Sequence, residues 1–128
     1  MLQNYPDLDV IISPTTVGIL SAAKVIQDMN SDCKVTGVGL PSEMAPYIDN
    51  GICSDCYLWD PYDQGYLAAA SVHSIATGES TGTVGDTVTA GRLGSYTVEE
   101  YYDGGTQVLL GDPIRFTKEN INDYKDLF

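Results

Sequence analysis

The chain has 128 residues, enough for one ordinary domain with a real core, and 43% of them are hydrophobic, which argues against a disordered chain. Six Lys and Arg stand against 18 Asp and Glu, and the net charge of −12 repels phosphate backbones and anionic lipid heads alike, so nucleic acid is not an expected partner. No apolar run reaches the roughly 18 residues of a membrane-spanning helix, and the opening Leu2-Gln3-Asn4-Tyr5-Pro6 has neither the basic nor the apolar region of a signal peptide. That start reads like the last turn of a helix entering a strand, as in a piece of a longer chain.

In chain order, Asp9 to Ser13 is an apolar run too short for a helix and bounded by Pro14, so it predicts a strand. Thr15 or Thr16 then caps a helix whose Val17, Leu20, Ala23 and Ile26 recur at helical spacing as far as Met29. Asn30-Ser31-Asp32 forms a turn and Lys34 to Leu40 a second strand. Pro41 opens a second helix with Met44, Tyr47 and Ile48 on one face, and Asn50-Gly51 ends it through a left-handed cap. Ile52 to Trp59 is a third strand. Pro61 takes the first position of a long helix from Tyr62 to Thr77, which Gly78 stops. Three strand–helix units in succession predict an α/β fold with a doubly wound parallel sheet, whose first strands look apolar on both faces.

Beyond Gly78 the composition turns to Gly, Thr and Ser, which predicts a short β-rich segment. Thr87 to Ala90 reads as a short strand. Gly94 to Val98 and Gln107 to Leu110 are expected to pair around a turn at Asp103-Gly104-Gly105. Gly111-Asp112-Pro113 breaks the run, Ile114 to Phe116 is a last extended piece, and Thr117 to Asn120 caps a short terminal helix.

The chemistry gathers where strands hand over to helices. In open α/β sheets, ligands bind outside the carboxyl ends of the strands. Trp59 offers a flat apolar face for a sugar ring, and Asp60 a carboxylate for its hydroxyls. The same pair also reads as a core indole followed by a helix N-cap before Pro61. Pro14, Thr15 and Thr16 present hydroxyls and amides at the end of the first strand, where they serve equally as plain capping residues. Gly39 and Leu40 occupy the same rim after the second strand, where glycine permits close approach to the backbone.

The single histidine, His73, lies in the middle of a helix, and Asp55, Asp60 and Asp63 have no nucleophile–base partner. No nucleophile elbow, phosphate loop, dinucleotide fingerprint or histidine-rich metal motif is present, so no enzyme, metal or cofactor is expected. Cys53 and Cys56 have C-x-x-C spacing but lead into a strand, and two further metal ligands are wanting. The plain reading of these cysteines is ordinary small residues near a strand start; if the parent is exported, the functional reading is a Cys33–Cys53 or Cys33–Cys56 disulfide, since Cys33 and Cys53 both start strands expected to be neighbours. A thiol-dependent redox or metal protein is the competing reading of the same residues.

The segments DVIISPTTVGILSAAKVI, GLPSEMAPYIDNG, YLWDPYDQGYLAAASV and LLGDPIRFTKENINDYKDLF resemble the carboxyl-terminal part of type I periplasmic binding proteins. The nearest likeness is to the rhamnose- and autoinducer-2-binding branch of sugar ABC-transporter receptors, and Ser-Pro-Thr-Thr with Leu-Trp-Asp-Pro leans toward rhamnose. The resemblance implies one lobe of a clamshell, covering residues 1–128, that closes on a deoxyhexose between two lobes and delivers it to a permease outside the cytoplasm. It implies that Pro14, Thr15, Thr16, Leu40, Trp59 and Asp60 face the ligand, that Leu58 to Asp60 is also a hinge crossover, and that residues 61–90 belong to the other lobe or cross the hinge. It implies a ligand-binding carboxylate at position 39 in ribose-binding relatives, which Gly39 cannot supply. Most of an amino-terminal lobe would be absent. The apolar side of the long helix (Leu67, Ala70, Val72, Ile75) would then be buried by altered docking, a homodimer or a domain swap. The effector domain of a sugar-responsive transcription repressor shares this fold and is the alternative.

Overall fold

The computed structural model describes residues 2–128 and divides into two compact units, residues 2–58 with Pro113–Phe128, and Trp59–Asp112. In the first unit, β1 (Val10–Ser13), β2 (Lys34–Val38) and β3 (Cys53–Leu58) run parallel, joined by α1 (Thr16–Asp28) and α2 (Pro41–Asp49). Parallel neighbours need a crossover of about a dozen residues, which is what each helix with its loops supplies. The last strand of the chain, β8 (Ile114–Thr117), joins the sheet antiparallel to β3, giving the order β1-β2-β3-β8. A short helix, α4 (Ile121–Tyr124), closes the unit.

One cluster forms its core. Ile19, Ala23 and Ile26 of α1, Met44, Ala45 and Ile48 of α2, and Ile121 of α4 bury against Val35, Cys53, Cys56 and Phe116 of the strands. Ala23 and Ile26 of the expected α1 stripe are buried and Leu20 packs partly against the core, but the stripe begins at Ile19 instead of Val17. Val17 is 74% exposed, because Ile19, Ala23 and Ile26 form the i, i+4, i+7 row that meets the sheet. The opposite sheet face is open, so the expectation that β1 is buried on both faces is corrected: Ile12 is 74% exposed and Val10 is exposed as well. On that face Asp55 accepts from Arg115 Nε (2.9 Å), Thr36 Oγ1 (3.0 Å), Tyr57 Oη (3.2 Å) and Ser54 Oγ (3.2 Å), tying β2, β3 and β8 together. Burial opposes ionisation of Asp55, but these hydrogen bonds outweigh it and hold its carboxyl below the ordinary value.

The second unit is built on α3 (Pro61–Thr77), which Gly78 ends in the left-handed conformation at φ 77. Two small antiparallel pairs accompany it: β4 (Thr87–Thr89) with β5 (Ser95–Thr97), and β6 (Glu99–Glu100) with β7 (Thr106–Gln107). The expected pairing of 94–98 with 107–110 is therefore replaced. A tight 3-10 turn at Gly91–Leu93 brings β5 back onto β4, and a short loop closes at less entropic cost than the longer one. Only the β6–β7 tip around Asp103–Gly105 matches the expected turn. Leu67, Ser74, Ser80, Val88, Ala90 and Val98 are the buried residues of the unit. Arg92 forms an ion pair with Asp63 and lies 5.1 Å from the Tyr66 ring centroid. Of the apolar helix residues expected to be covered, Leu67 is buried, whereas Val72 (69%) and Ile75 (52%) are exposed.

Candidate functional site

The β1–α1 turn is held by its own hydroxyls. Ser13 Oγ donates to the Thr15 carbonyl at 3.2 Å, and Thr15 Oγ1 accepts from the Gly18 amide at 3.1 Å as the N-cap of α1. Gly18 leaves room for both hydroxyls, since a Cβ would come within 2.7 Å of Thr15 Oγ1 and closer still to Ser13 Oγ and would have to displace them. Thr15 and Pro14 are exposed and Thr16 is half-buried, so the Thr15 hydroxyl keeps its proton free to donate outward while it caps.

Because Ser13 pairs with Gly37 in adjacent parallel strands, the β2–α2 turn opens at the same end of the sheet as Pro14 to Thr16. Leu40 is half-buried there at the N-cap position of α2, its carbonyl accepting from the Glu43 and Met44 amides. Gly39 differs from expectation. A Cβ on it would sit 2.8 Å from Met44 Cγ and 3.3 Å from both Cys56 Cβ and Ile19 Cγ2. A side chain at position 39 would thus enter the core rather than the rim, and the glycine serves packing instead of ligand approach.

The third strand ends at Leu58, and the next two residues open the second unit. Asp60 is the N-cap of α3: its Oδ1 accepts from the Tyr62 amide at 2.8 Å and the Asp63 amide at 3.2 Å. Its Oδ2 accepts no hydrogen bond among the described residues and is available to a ligand hydroxyl. Trp59 is 40% exposed, and its indole Nε1 donates to the Gly111 carbonyl at 2.7 Å. The capping and ligand-binding readings of Asp60 are thus compatible, one oxygen serving each.

Sequence reasoning missed one feature of the second unit, an open groove of about 610 Å³ whose lining includes Trp59, Leu67, Ser71, Ile75, Val88 and Leu109. The signal was present in the i, i+4, i+8 row Leu67, Ser71, Ile75 beside the apolar Val108-Leu109-Leu110 run.

The cysteines take the plain reading, as small buried residues of the core. Cys33, Cys53 and Cys56 are free, buried thiols. Val35 is the partner of Cys53, so Cys33 lies two residues out of register, with a Cα separation of about 8 Å at ordinary strand spacings. Disulfides need less than about 7 Å. The register shift in β2–β3 adds one residue to β3, which lets Cys53 and Cys56 bury on the same side despite their odd spacing. Burial pushes the Cys53 thiol up to about 11 and Cys56 up to about 12. Burial also raises Cys33. Thiols kept protonated in this way are poor nucleophiles. Among the described residues no group of three or more His, Cys, Asp or Glu is placed to hold a metal ion.

A family model described as a periplasmic binding protein domain matches residues 1–80. Three solved structures are similar. An ABC transporter solute-binding protein from Clostridium phytofermentas with bound L-rhamnose is 41% identical, with a TM-score of 0.91 over 99% of this chain and 43% of its own. A sugar ABC transporter protein from Actinomyces odontolyticus is 40% identical, with a TM-score of 0.78 over 96% of this chain and 39% of its own. LsrB from Clostridium saccharobutylicum, in complex with AI-2, is 27% identical, with a TM-score of 0.84 over 96% of this chain and 41% of its own. The chain therefore spans about two fifths of the length of these relatives.

Proposed function

This chain belongs to the periplasmic binding protein family, a family of binding proteins rather than enzymes, and on that footing we propose that it contributes to the capture of a deoxyhexose such as rhamnose by a sugar ABC-transporter receptor. The observation that carries this reading is the 41% identity across 99% of the chain to a solute-binding protein holding L-rhamnose. The lower 27% identity to the AI-2-bound protein favours rhamnose over AI-2. The local chemistry supports it. Thr15, with Thr16 beside it, offers a hydroxyl donor and Asp60 a free carboxylate oxygen, while Pro14 and Leu40 supply apolar surface for a sugar methyl. Trp59 exposes part of its ring for stacking. Delivery to a permease on the outer side of the membrane belongs to the same reading, as does self-association of this chain through apolar residues such as Val72 and Ile75. No helix among the described residues is long and apolar enough to cross a membrane.

A chimera tests the assignment. This chain replaces the matching part of the rhamnose-bound relative, and L-rhamnose and D-ribose are titrated by calorimetry. Rhamnose is expected to bind and ribose not to. Asp60→Ala is expected to weaken rhamnose by about 1.5–3 kcal/mol, the scale of a hydrogen bond to a charged group. A folded chimera that ignores rhamnose, or Asp60→Ala with undiminished affinity, overturns the proposal.

A further inference from the structure

The second unit interrupts the first, so the chain crosses between them twice, after Leu58 and before Pro113. On the side of the first unit the two crossings are held by the β3–β8 ladder, whose last pair is Leu58 with Ile114. The ladder ends there, and the next residue, Pro113, has no amide hydrogen to offer it. One residue into the second unit a side chain takes over. The Trp59 indole donates to the Gly111 carbonyl at 2.7 Å, across 52 positions of sequence. Gly111 sits at φ 118, a backbone that residues with a Cβ rarely adopt, so the direction of that carbonyl depends on the glycine.

We propose that Trp59 is a positioning residue of the hinge: its indole N–H clamps the two crossings into one ribbon, so that the units swing about a single shared axis. This rests on the reading above only in supposing that the units move against each other. It gives Trp59 a role that needs the N–H and not the ring face, separable from stacking on a sugar. Without the clamp the two crossings pivot independently. Removing one neutral hydrogen bond of typical net strength raises the population with the crossings apart by roughly 2- to 12-fold.

The test uses the 128-residue chain without sugar. Trp59 is its only tryptophan, so the single indole N–H resonance reports the bond directly, and its hydrogen exchange is expected to be slowed several-fold against free tryptophan although the residue is 40% exposed. Nitroxide labels on Ser21→Cys in the first unit and Ala76→Cys in the second, both exposed positions, give the inter-unit distance distribution. Trp59→Phe keeps a ring and removes the donor, and Gly111→Ala keeps the indole and disturbs the carbonyl. Both are expected to broaden the distribution while leaving the urea midpoint of the first unit unchanged. An indole N–H exchanging at the free rate, or distributions unchanged in both variants, overturns the clamp. Should a variant fail to fold, the exchange rate of the unaltered chain decides alone. Because no sugar is present, none of these outcomes bears on whether rhamnose binds.

Discussion

Replacing Gly39 with alanine adds one methyl group at the point where β2 meets its core. The added Cβ would lie 2.8 Å from Met44 Cγ and 3.3 Å from Cys56 Cβ and Ile19 Cγ2, against an ordinary carbon–carbon separation of about 3.5–4.0 Å. Met44 can swing aside, but it is fully buried, and Cys56 Cβ is fixed by its strand. Overpacking of this kind costs about 1–3 kcal/mol. For a chain of this length that lowers the melting temperature by about 3–5 °C per kcal/mol. Gly65→Ala is the control of opposite sign. It lies inside α3 with nothing within 4 Å of its new Cβ, and the helix gains about 0.5–1 kcal/mol. Gly39→Asp sharpens the test, since it would push a carboxylate among Met44, Cys56 and Ile19. Urea unfolding followed by circular dichroism measures all three. A Gly39→Ala protein as stable as the original, or a normally stable Gly39→Asp protein, would show that position 39 faces the rim after all.

Three further measurements follow from the ionisable groups. Asp86 accepts from the Thr81 hydroxyl and amide and the Ser80 hydroxyl, which depress its carboxyl to about 2, and Asp55 is also held low by its partners once burial is outweighed. A depressed carboxyl stabilises the fold above its unfolded value near 3.9 and loses that contribution as pH falls through its folded value. The urea midpoint should therefore drop between about pH 4 and about pH 2, and Asp86→Asn should flatten part of that slope; an unchanged slope in the variant refutes the linkage. The raised thiols act on the alkaline side, where stability is complete below about pH 8.5 and declines as pH climbs through about 11 and about 12. At neutral pH, Ellman's reagent should find three thiols in denaturant and react with almost none in the native protein, whereas prompt labelling of the native chain would restore the redox reading.

The elements and their ends could be read from sequence because the forces that set them act within one turn of chain. Thr15 reaches Gly18, Asp60 reaches Tyr62 and Asp63, Gly51 and Gly78 take left-handed caps, and Met44 meets Ile48 on one face. The rim of Pro14 to Thr16 and Leu40 followed from the same local grammar, since strand–helix alternation makes neighbouring strands parallel and puts their exits at one end. The α1 stripe held at Ala23 and Ile26 but began at Ile19 instead of Val17, because periodicity gives the repeat, while the sheet it meets selects the row.

The sequence by itself determined a parallel three-strand sheet with capped helices and a polar rim at its carboxyl ends. Tertiary structure alone decided that β8 closes on β3 antiparallel, that an extra residue in β3 turns both Cys53 and Cys56 inward, that Gly39 faces the core, and that the Trp59 indole finds Gly111. The two pairings and the register shift join groups far apart in sequence or hang on one residue, and the orientation of Gly39 depends on distant Ile19 and Cys56 as well as nearby Met44. Such pairings are chosen by the closing of loops and the filling of one shared core, and neither leaves a periodic trace along the chain.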